Sequence, residues 1–228
     1  LGIQLFTYNW AAVSEMVTVA RATLPGLVTV VGGPHPNAVP GDTLEGIPAL
    51  DYAVSGEGEA AIVALCEALS QGPPTPETLK AIPNLVWRAP GGGPIRVNPR
   101  WYEDDLDRRA PAWDLMVPDS YPLLAHGILN RAWPIAPIFA TRGCPYPCTF
   151  CSAADNMGKK IRVRTPQRVV DEIEHLVTVY GVREIHIEDD NFTFNRRFAM
   201  GVCQEIIRRG LDVVWACPNG VRLDRLDA

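Results

Sequence analysis

Thr141-Arg142-Gly143-Cys144-Pro145-Tyr146-Pro147-Cys148-Thr149-Phe150-Cys151-Ser152 sets three thiols on one short segment with the spacing C-x3-C-x2-C. Gly143, Pro145 and Pro147 keep that segment on a tight non-helical path, because proline lacks the amide hydrogen a helix needs and glycine enters turns closed to other residues. A loop of this kind can wrap a compact metal centre. Thiolates are soft donors, so an iron–sulfur cluster and a zinc ion compete as readings, with chance clustering as the third. A closed zinc site needs a fourth ligand, which ordinarily arrives in a second C-x2-C or H-x3-H pair, and neither Cys203 nor Cys217 lies in one. A cubane held by three cysteines keeps one iron open, so the incomplete ligand set is itself a catalytic signal.

Outward from this loop the chain alternates strand and helix patterns. A strand over Pro137 to Thr141 leads into it; a helix from about Pro166 to Tyr180, a strand over Glu184 to Glu188, a helix over Arg196 to Arg209 and a strand over Asp212 to Cys217 follow. Val169, Val170, Ile173, Leu176 and Val177 recur at helical spacing. Residues 133–228 therefore read as one α/β domain. Residues 1–70 read as another, with strands over Leu1 to Phe6, Leu27 to Val31 and Tyr52 to Val54 and helices over Val13 to Leu24 and Ala60 to Leu69. Between them, 71–132 is rich in Pro and Gly and reads as a connector carrying short strands such as Asn84 to Arg88. Alternation of this type implies parallel sheets covered by helices, whose ligand-binding loops lie at strand C-termini. Thr7 to Asn9, Gly32 to His35 and Gly56 to Glu59 should then share one rim.

Composition narrows the class. Of 228 residues, 47% are apolar and 21% charged, the balance of a globular chain with a real core. A formal net charge of −5 with scattered Lys and Arg argues against a nucleic-acid partner. No run approaches the roughly 18–20 apolar residues of a membrane span, and Leu1 to Phe6 lacks the basic flank of a signal peptide, so a cytoplasmic protein is expected. Three of the six cysteines crowd into the 144–151 segment, which fits a reducing compartment better than a disulfide scaffold. The chain opens without Met on a strand already in progress and stops at Arg222 to Ala228, where a helix begins; it reads as a fragment cut at both ends.

Further candidates lie outside the cysteine loop. The second strand of the later domain runs into Glu188-Asp189-Asp190-Asn191-Phe192, carboxylates able to accept hydrogen bonds from a ligand ammonium or to favour a following helix N-terminus. Arg162 and Arg164 read as solvated. His35, between two prolines, suits a rigid turn as well as ligation of a transition metal; Glu57 and Glu59 read as acids capping a helix, and Cys66, His175, His186 and Cys203 as structural.

Cys144, Cys148, Phe150 and Cys151 meet the C-x3-C-x-aromatic-C signature without departure, and the segment resembles the radical S-adenosylmethionine (SAM) superfamily. The resemblance implies a [4Fe–4S] cluster on the three cysteines, SAM chelated at the open iron, and one-electron cleavage of SAM to a 5′-deoxyadenosyl radical. It implies further that Tyr146 and Phe150 lie beside SAM, that Asp189 and Asp190 receive its amino group, and that Asn219 of Pro218-Asn219-Gly220 contacts it. The order Phe6-Thr7-Tyr8-Asn9, Gly32-Gly33-Pro34-His35, Asp51-Tyr52 with Gly56-Glu57-Gly58-Glu59, Pro83-Asn84-Leu85-Val86, and Pro111-Ala112-Trp113-Asp114 resembles the cobalamin-binding subgroup across nearly the whole chain. Two departures stand out: the first strand and loop, where some cobalamin proteins keep an Asp-x-His-x-x-Gly cobalt-ligand motif, is absent from this fragment, and Gln4 stands where Ser is common.

The fold class so implied is α/β, a partial Rossmann-like cobalamin-binding domain followed by the first half of a radical SAM (βα) barrel of the TIM type. Thr7, Tyr8, Asn9, Gly32, Gly33 and Gly56 would line the cobalamin. The implied activity is methyl transfer to an unactivated carbon of a small-molecule substrate, with an electron donor such as flavodoxin or ferredoxin. Its alternatives are a radical SAM cyclase or rearrangement enzyme without methyl transfer, and a non-enzymatic metal-bearing sensor module.

Overall fold

The computed structural model describes residues 1–120 and 130–222; the helix expected to begin over 222–228 falls outside the described residues beyond Arg222. The chain divides into two compact units, one of residues 1–103 with 148–157, the other of 104–147 with 158–228.

The first unit is built on a five-stranded sheet. Its strands are β1 (Gly2–Gln4), β2 (Val30–Gly32), β3 (Tyr52–Val54), β4 (Leu85–Arg88) and β5 (Ile95–Val97), neighbours in that order. β1, β2 and β3 pair in parallel, with Ile3 opposite Val31 and Val31 opposite Ala53. The crossovers are α1 (Trp10–Thr23) between β1 and β2, and α2 (Pro34–Ala38) with α3 (Pro40–Gly46) between β2 and β3. α4 (Glu59–Ser70) and α5 (Pro76–Ala81) then lead into β4, which pairs antiparallel to β3. Period-2 alternation divides the core: Ala53 and Val86 face a cluster with Val13, Val17 and Leu44, whereas Val54, Leu85 and Trp87 face Ala61 and Leu65 of α4. Residues 148–157 also belong to this unit and carry α6 (Ala153–Met157).

The expectation of a connector starting at residue 71 is corrected here. Residues 71–103 add α5, β4 and β5, and Leu85, Val86 and Trp87 are buried in the sheet. The glycines that suggested a linker form the hairpin turn, where Gly91 and Gly92 take φ of 70° and 73°. Asn84, just before β4, is buried with φ of 63°, a conformation rare outside glycine. Cys66, expected in the core, is exposed on α4.

In the second unit β6 (Ile135–Ile138), β9 (Glu184–Ile187) and β10 (Val214–Ala216) form a parallel sheet in the order β10-β9-β6. β7 (Thr141–Arg142) and β8 (Arg162–Val163) make a separate antiparallel pair. α7 (Pro166–Tyr180) precedes β9 and α8 (Arg196–Arg209) precedes β10. Both helices carry local start and stop signals: Thr165 and Asn195 cap the N-termini by accepting from the Arg168 and Phe198 amides, and Gly181 and Gly210 end them in left-handed conformation. Val169, Ile173, Leu176, Val202 and Phe198 cover Ile185 and Ile187 of the sheet. Arg209 ties α8 to α7 through Glu174 and Asp171 at 2.7 and 2.8 Å. The arginines expected to be solvated after the cysteine loop are not: Arg162 is buried at 4% exposed, and Arg164 is half-buried and pairs with Glu172, whose other oxygen accepts from Trp113 Nε1 at 2.9 Å.

Candidate active site

β6, β9 and β10 run in parallel, so their C-terminal ends open on one edge. There β6 leads to the cysteine loop, β9 to Glu188-Asp189-Asp190, and β10 to Cys217-Pro218-Asn219. β7 and β8 pinch the base of the cysteine loop. Arg142 pairs with Arg162, Cys144 N–H donates to the Gly158 carbonyl at 3.0 Å, and a Cβ on Gly143 would come within 2.4 Å of the Lys160 carbonyl oxygen. Gly143, at φ of 97°, is therefore fixed by steric necessity.

The three carboxylates after β9 do different jobs. Asp189 is 1% exposed; its Oδ1 accepts from the Ala140 amide at 2.7 Å and its Oδ2 from the Thr141 hydroxyl at 2.8 Å. Burial pushes its carboxyl up to about 6, against the opposing hydrogen bonds from Thr141 and Ala140. It locks the end of β9 to the start of the cysteine loop and has no oxygen to spare. Of the expected acidic pair, only Asp190 keeps a buried oxygen, Oδ2, without a hydrogen-bond partner, and burial raises its pKa as well. Glu188, in the same run but not singled out by sequence, likewise keeps Oε1 unpartnered. Asn219 Nδ2 donates to the Glu188 carbonyl at 2.9 Å and to Glu188 Oε2 at 3.3 Å, joining the ends of β9 and β10. The signal that separates the acids is parity: Asp189 falls in step with the core residues Ile185 and Ile187, whereas Glu188 and Asp190 fall in step with His186.

Beside these strand ends lies a cleft of about 330 Å³ lined by Phe192, Thr193, Trp215, Ala216, Cys217 and Val221. It is mostly apolar, with the Thr193 hydroxyl and the Cys217 thiol as its polar side chains, and burial, followed by the Asp189 charge, pushes the Cys217 pKa up to about 11. Tyr146 stands edge-on to Phe194 at 6.0 Å between ring centroids, and the Arg222 guanidinium lies 4.2 Å over the Tyr146 ring. Below, His186 Nε2 and Glu184 Oε1 lie 2.9 Å apart. Burial raises the Glu184 pKa, but the hydrogen bonds from His186, Ala132 and Arg131 outweigh it, and the carboxyl ends lower than usual.

Cys144, Cys148 and Cys151 are all free thiols, the last two exposed, and Phe150 next to them is 92% exposed. Cys151 N–H donates to the Cys148 carbonyl at 3.1 Å, a turn that sets these two residues on one bend. Among the described residues no three His, Cys, Asp or Glu side chains are gathered tightly enough to hold a metal as they stand. The donor set nonetheless fits an iron–sulfur cluster, since three accessible soft thiols lie on a loop free of competing disulfides.

In the first unit the loops after β1, β2 and β3 form one rim, as parallel neighbours must. They are cross-linked: Thr7 Oγ1 lies 2.9 Å from His35 Nδ1, and Gly56 N–H donates to Asn37 Oδ1 at 2.6 Å. Asn9 closes its own turn by accepting from Phe6 N–H at 2.8 Å, and Tyr8 stacks on Phe6 in the open, 85% exposed. Two rim glycines are required by the protein itself: a Cβ on Gly33 would stand 3.1 Å from the Leu5 carbonyl oxygen, and one on Gly56 would stand 3.2 Å from Asn84. Gly32 has room to spare. Glu57 does not cap α4; it is buried, and its Oε2 accepts from the Glu103 amide at 2.8 Å.

A mixed sheet whose parallel strands end in one rim, in the same chain as (βα) strands that open on a three-cysteine loop, defines a two-domain α/β cofactor protein. The family model described as the Radical SAM superfamily matches residues 138–228, and that described as a B12 binding domain matches residues 1–66. The chain belongs to the cobalamin-binding radical SAM family. It is 33% identical to an uncharacterized methyltransferase of Pyrococcus horikoshii over 94% of this chain and 45% of that protein. It is also 33% identical to the anaerobic magnesium-protoporphyrin IX monomethyl ester cyclase of Rubrivivax gelatinosus, over 86% of this chain and 34% of that one. The chain thus spans less than half the length of these relatives. Among solved structures it resembles the radical SAM methyltransferase TsrM from Kitasatospora setae, determined with cobalamin and a [4Fe–4S] cluster bound, with a TM-score of 0.68 and 23% identity over 91% of this chain and 41% of that chain.

Proposed function

We propose that the protein is a cobalamin-dependent radical SAM enzyme that methylates an unactivated carbon of a small-molecule substrate. The observation that carries this reading is the union, in one chain, of a C-x3-C-x-F-C loop at a (βα) strand end and a B12-type sheet with its strand-end rim. When bound, the cluster supplies the electron that cleaves SAM and the cobalamin supplies a transferable methyl group. Cys144, Cys148 and Cys151 would hold the cluster. Glu188 and Asp190 keep unpartnered oxygens suited to the SAM ammonium, Asn219 orients Glu188, and Asp189 fixes the strand end that presents them. Tyr146 and Phe150 would flank SAM, and the apolar cleft at Trp215 and Phe192 would exclude water from the reacting carbon. Thr7, Tyr8, Asn9, Gly32, Gly33 and Gly56 form the rim proposed for cobalamin, with the glycines keeping the backbone bare there. An electron donor of the flavodoxin or ferredoxin class and a cytoplasmic setting fit the need for reduced thiols.

The cyclase relative at 33% identity favours a second reading, in which the same radical closes a ring without methyl transfer. The deciding experiment uses the full-length protein, reconstituted anaerobically and given SAM labelled in its methyl group. Labelled product supports methyl transfer; deoxyadenosine with an unlabelled cyclised product supports the cyclase reading. Alanine at each of the three cysteines should abolish the iron–sulfur absorbance, and retention of a full [4Fe–4S] spectrum in all three variants would sink both.

A further inference from the structure

The five-residue helix after the last cysteine is held by the N-terminal unit. Arg100, which follows β5, spreads one guanidinium over three anchors: Nε and one terminal nitrogen donate to Ser55 Oγ at 3.2 and 2.9 Å, that same terminal nitrogen donates to the Asn37 carbonyl, and the other donates to the Asp155 carbonyl at 2.7 Å. Ser55 directly follows β3 and is fully buried, and Asn37 lies in α2 on the rim, so two anchors are rigid parts of the sheet edge. The third is the backbone of α6. Asn37 adds a second tie, donating from Nδ2 to Asn156 Oδ1 at 3.1 Å while its Oδ1 receives the Gly56 amide.

Arg100 is itself held by a buried clamp. Asn84 Oδ1 accepts from the Trp101 amide at 2.6 Å, and Asn84 Nδ2 donates to the Trp101 and Glu57 carbonyls at 2.9 and 2.7 Å. The strained left-handed backbone of Asn84 thus fixes the residue after Arg100 to the loop after β3. Arginine suits this position because its planar fork serves several acceptors at once with little loss of freedom per bond.

We infer that Arg100 is a positioning residue for the cysteine loop: it fastens α6, the segment immediately after Cys151, to the Asn37 and Ser55 loops of the rim, so that Cys148 and Cys151 are set before any cluster is loaded. A surface arginine with no such role would contact neither the rim nor the backbone next to the ligands. The inference rests on the proposed cluster for its chemical meaning but not for its first test.

That test is hydrogen–deuterium exchange on the cluster-free full-length protein, comparing wild type with Arg100→Ala and Arg100→Lys. Loss of several charge-assisted hydrogen bonds should speed exchange over residues 152–157 by about tenfold or more in Arg100→Ala, with partial rescue in Arg100→Lys and no change in the α7–α8 region. The second test reads the reconstituted protein, where Arg100→Ala should release iron to a chelator several-fold faster and alter the electron paramagnetic resonance line shape of the reduced cluster. Unchanged exchange together with an unchanged chelation rate overturns the inference. Should Arg100→Ala fail to fold by circular dichroism, Arg100→Lys, which keeps the charge and loses the fork, carries the same measurements with the same two outcomes. Absence of a cluster in the wild type would overturn the proposed function instead, leaving the exchange result to judge the tether alone.

Discussion

Asp189 offers the sharpest test of the strand-end geometry. Its carboxylate takes the Ala140 amide and the Thr141 hydroxyl while almost fully buried, and burial lifts its pKa from an ordinary 3.8 to about 6. Between those values the folded protein holds a proton that the unfolded chain has already released. Stability should therefore fall as pH rises from about 4 to about 6 and stay lower above it, which is the opposite of a salt-bridged aspartate. At about 1.4 kcal/mol per pH unit, the rise is worth about 3 kcal/mol. Asp189→Asn keeps an oxygen for the Ala140 amide, and its amide NH2 can donate to the Thr141 hydroxyl oxygen, which turns from donor to acceptor, without carrying charge. It should flatten this part of the pH profile and match or exceed wild-type stability at pH 7. Asp189→Ala strands the Ala140 amide and opens a cavity, and should cost about 2–4 kcal/mol. Urea unfolding of the cluster-free protein from pH 4 to 8 gives the free energies. A wild-type profile that rises over pH 4 to 6, or an Asn variant less stable than Ala, would refute the reasoning.

Other outcomes follow from single contacts. Gly143→Ala should impair folding of the cysteine loop and iron uptake, because its Cβ would strike the Lys160 carbonyl, whereas Gly58→Ala, with open space around it, should leave thermal stability and iron content unchanged. Glu188→Gln and Asp190→Asn should each weaken SAM binding by about tenfold, measured by calorimetry on the reconstituted protein, with Asp189→Asn weakening it far less. Trp113→Phe removes the donor to Glu172 Oε1 and should lower unfolding free energy by about 1–3 kcal/mol, read by denaturant titration.

How far the sequence discloses this architecture varies with how local the determining signal is. α7 and α8 are readable to the residue because Thr165, Pro166, Asn195, Gly181 and Gly210 are self-contained caps. The strands are readable in place but not at their ends, where pairing rather than propensity sets the limit: β10 keeps only Val214–Ala216 of the expected Asp212 to Cys217, and β6 starts at Ile135, ahead of the expected Pro137. β4 and β5 are disguised, since a Pro- and Gly-rich composition describes a tight hairpin as well as a linker, and only the buried Leu85, Val86 and Trp87 distinguish them. The candidate site divides similarly. The cysteines are legible from spacing alone, but assigning Asp189 requires knowing that Ala140 and Thr141 arrive beside it, a contact across 48 residues of chain. Arg100 leaves no local trace and Asn84 only its place in Pro83-Asn84-Leu85-Val86, because their partners are mostly backbone groups, which every residue possesses.

The β7–β8 ladder has a consequence for how this loop can evolve. By holding Arg142 against Arg162, it meets the entropy of loop closure in advance, so the excursion between them begins and ends at a fixed doorway. Lengthening a closed loop is inexpensive, about 0.6 kcal/mol for each doubling. Because Gly158 and Lys160 face Cys144 and Gly143 at that doorway, a change of length there would move the base of the loop, so variation around the cofactors has to fall inside the excursion while the strands beneath stay as they are.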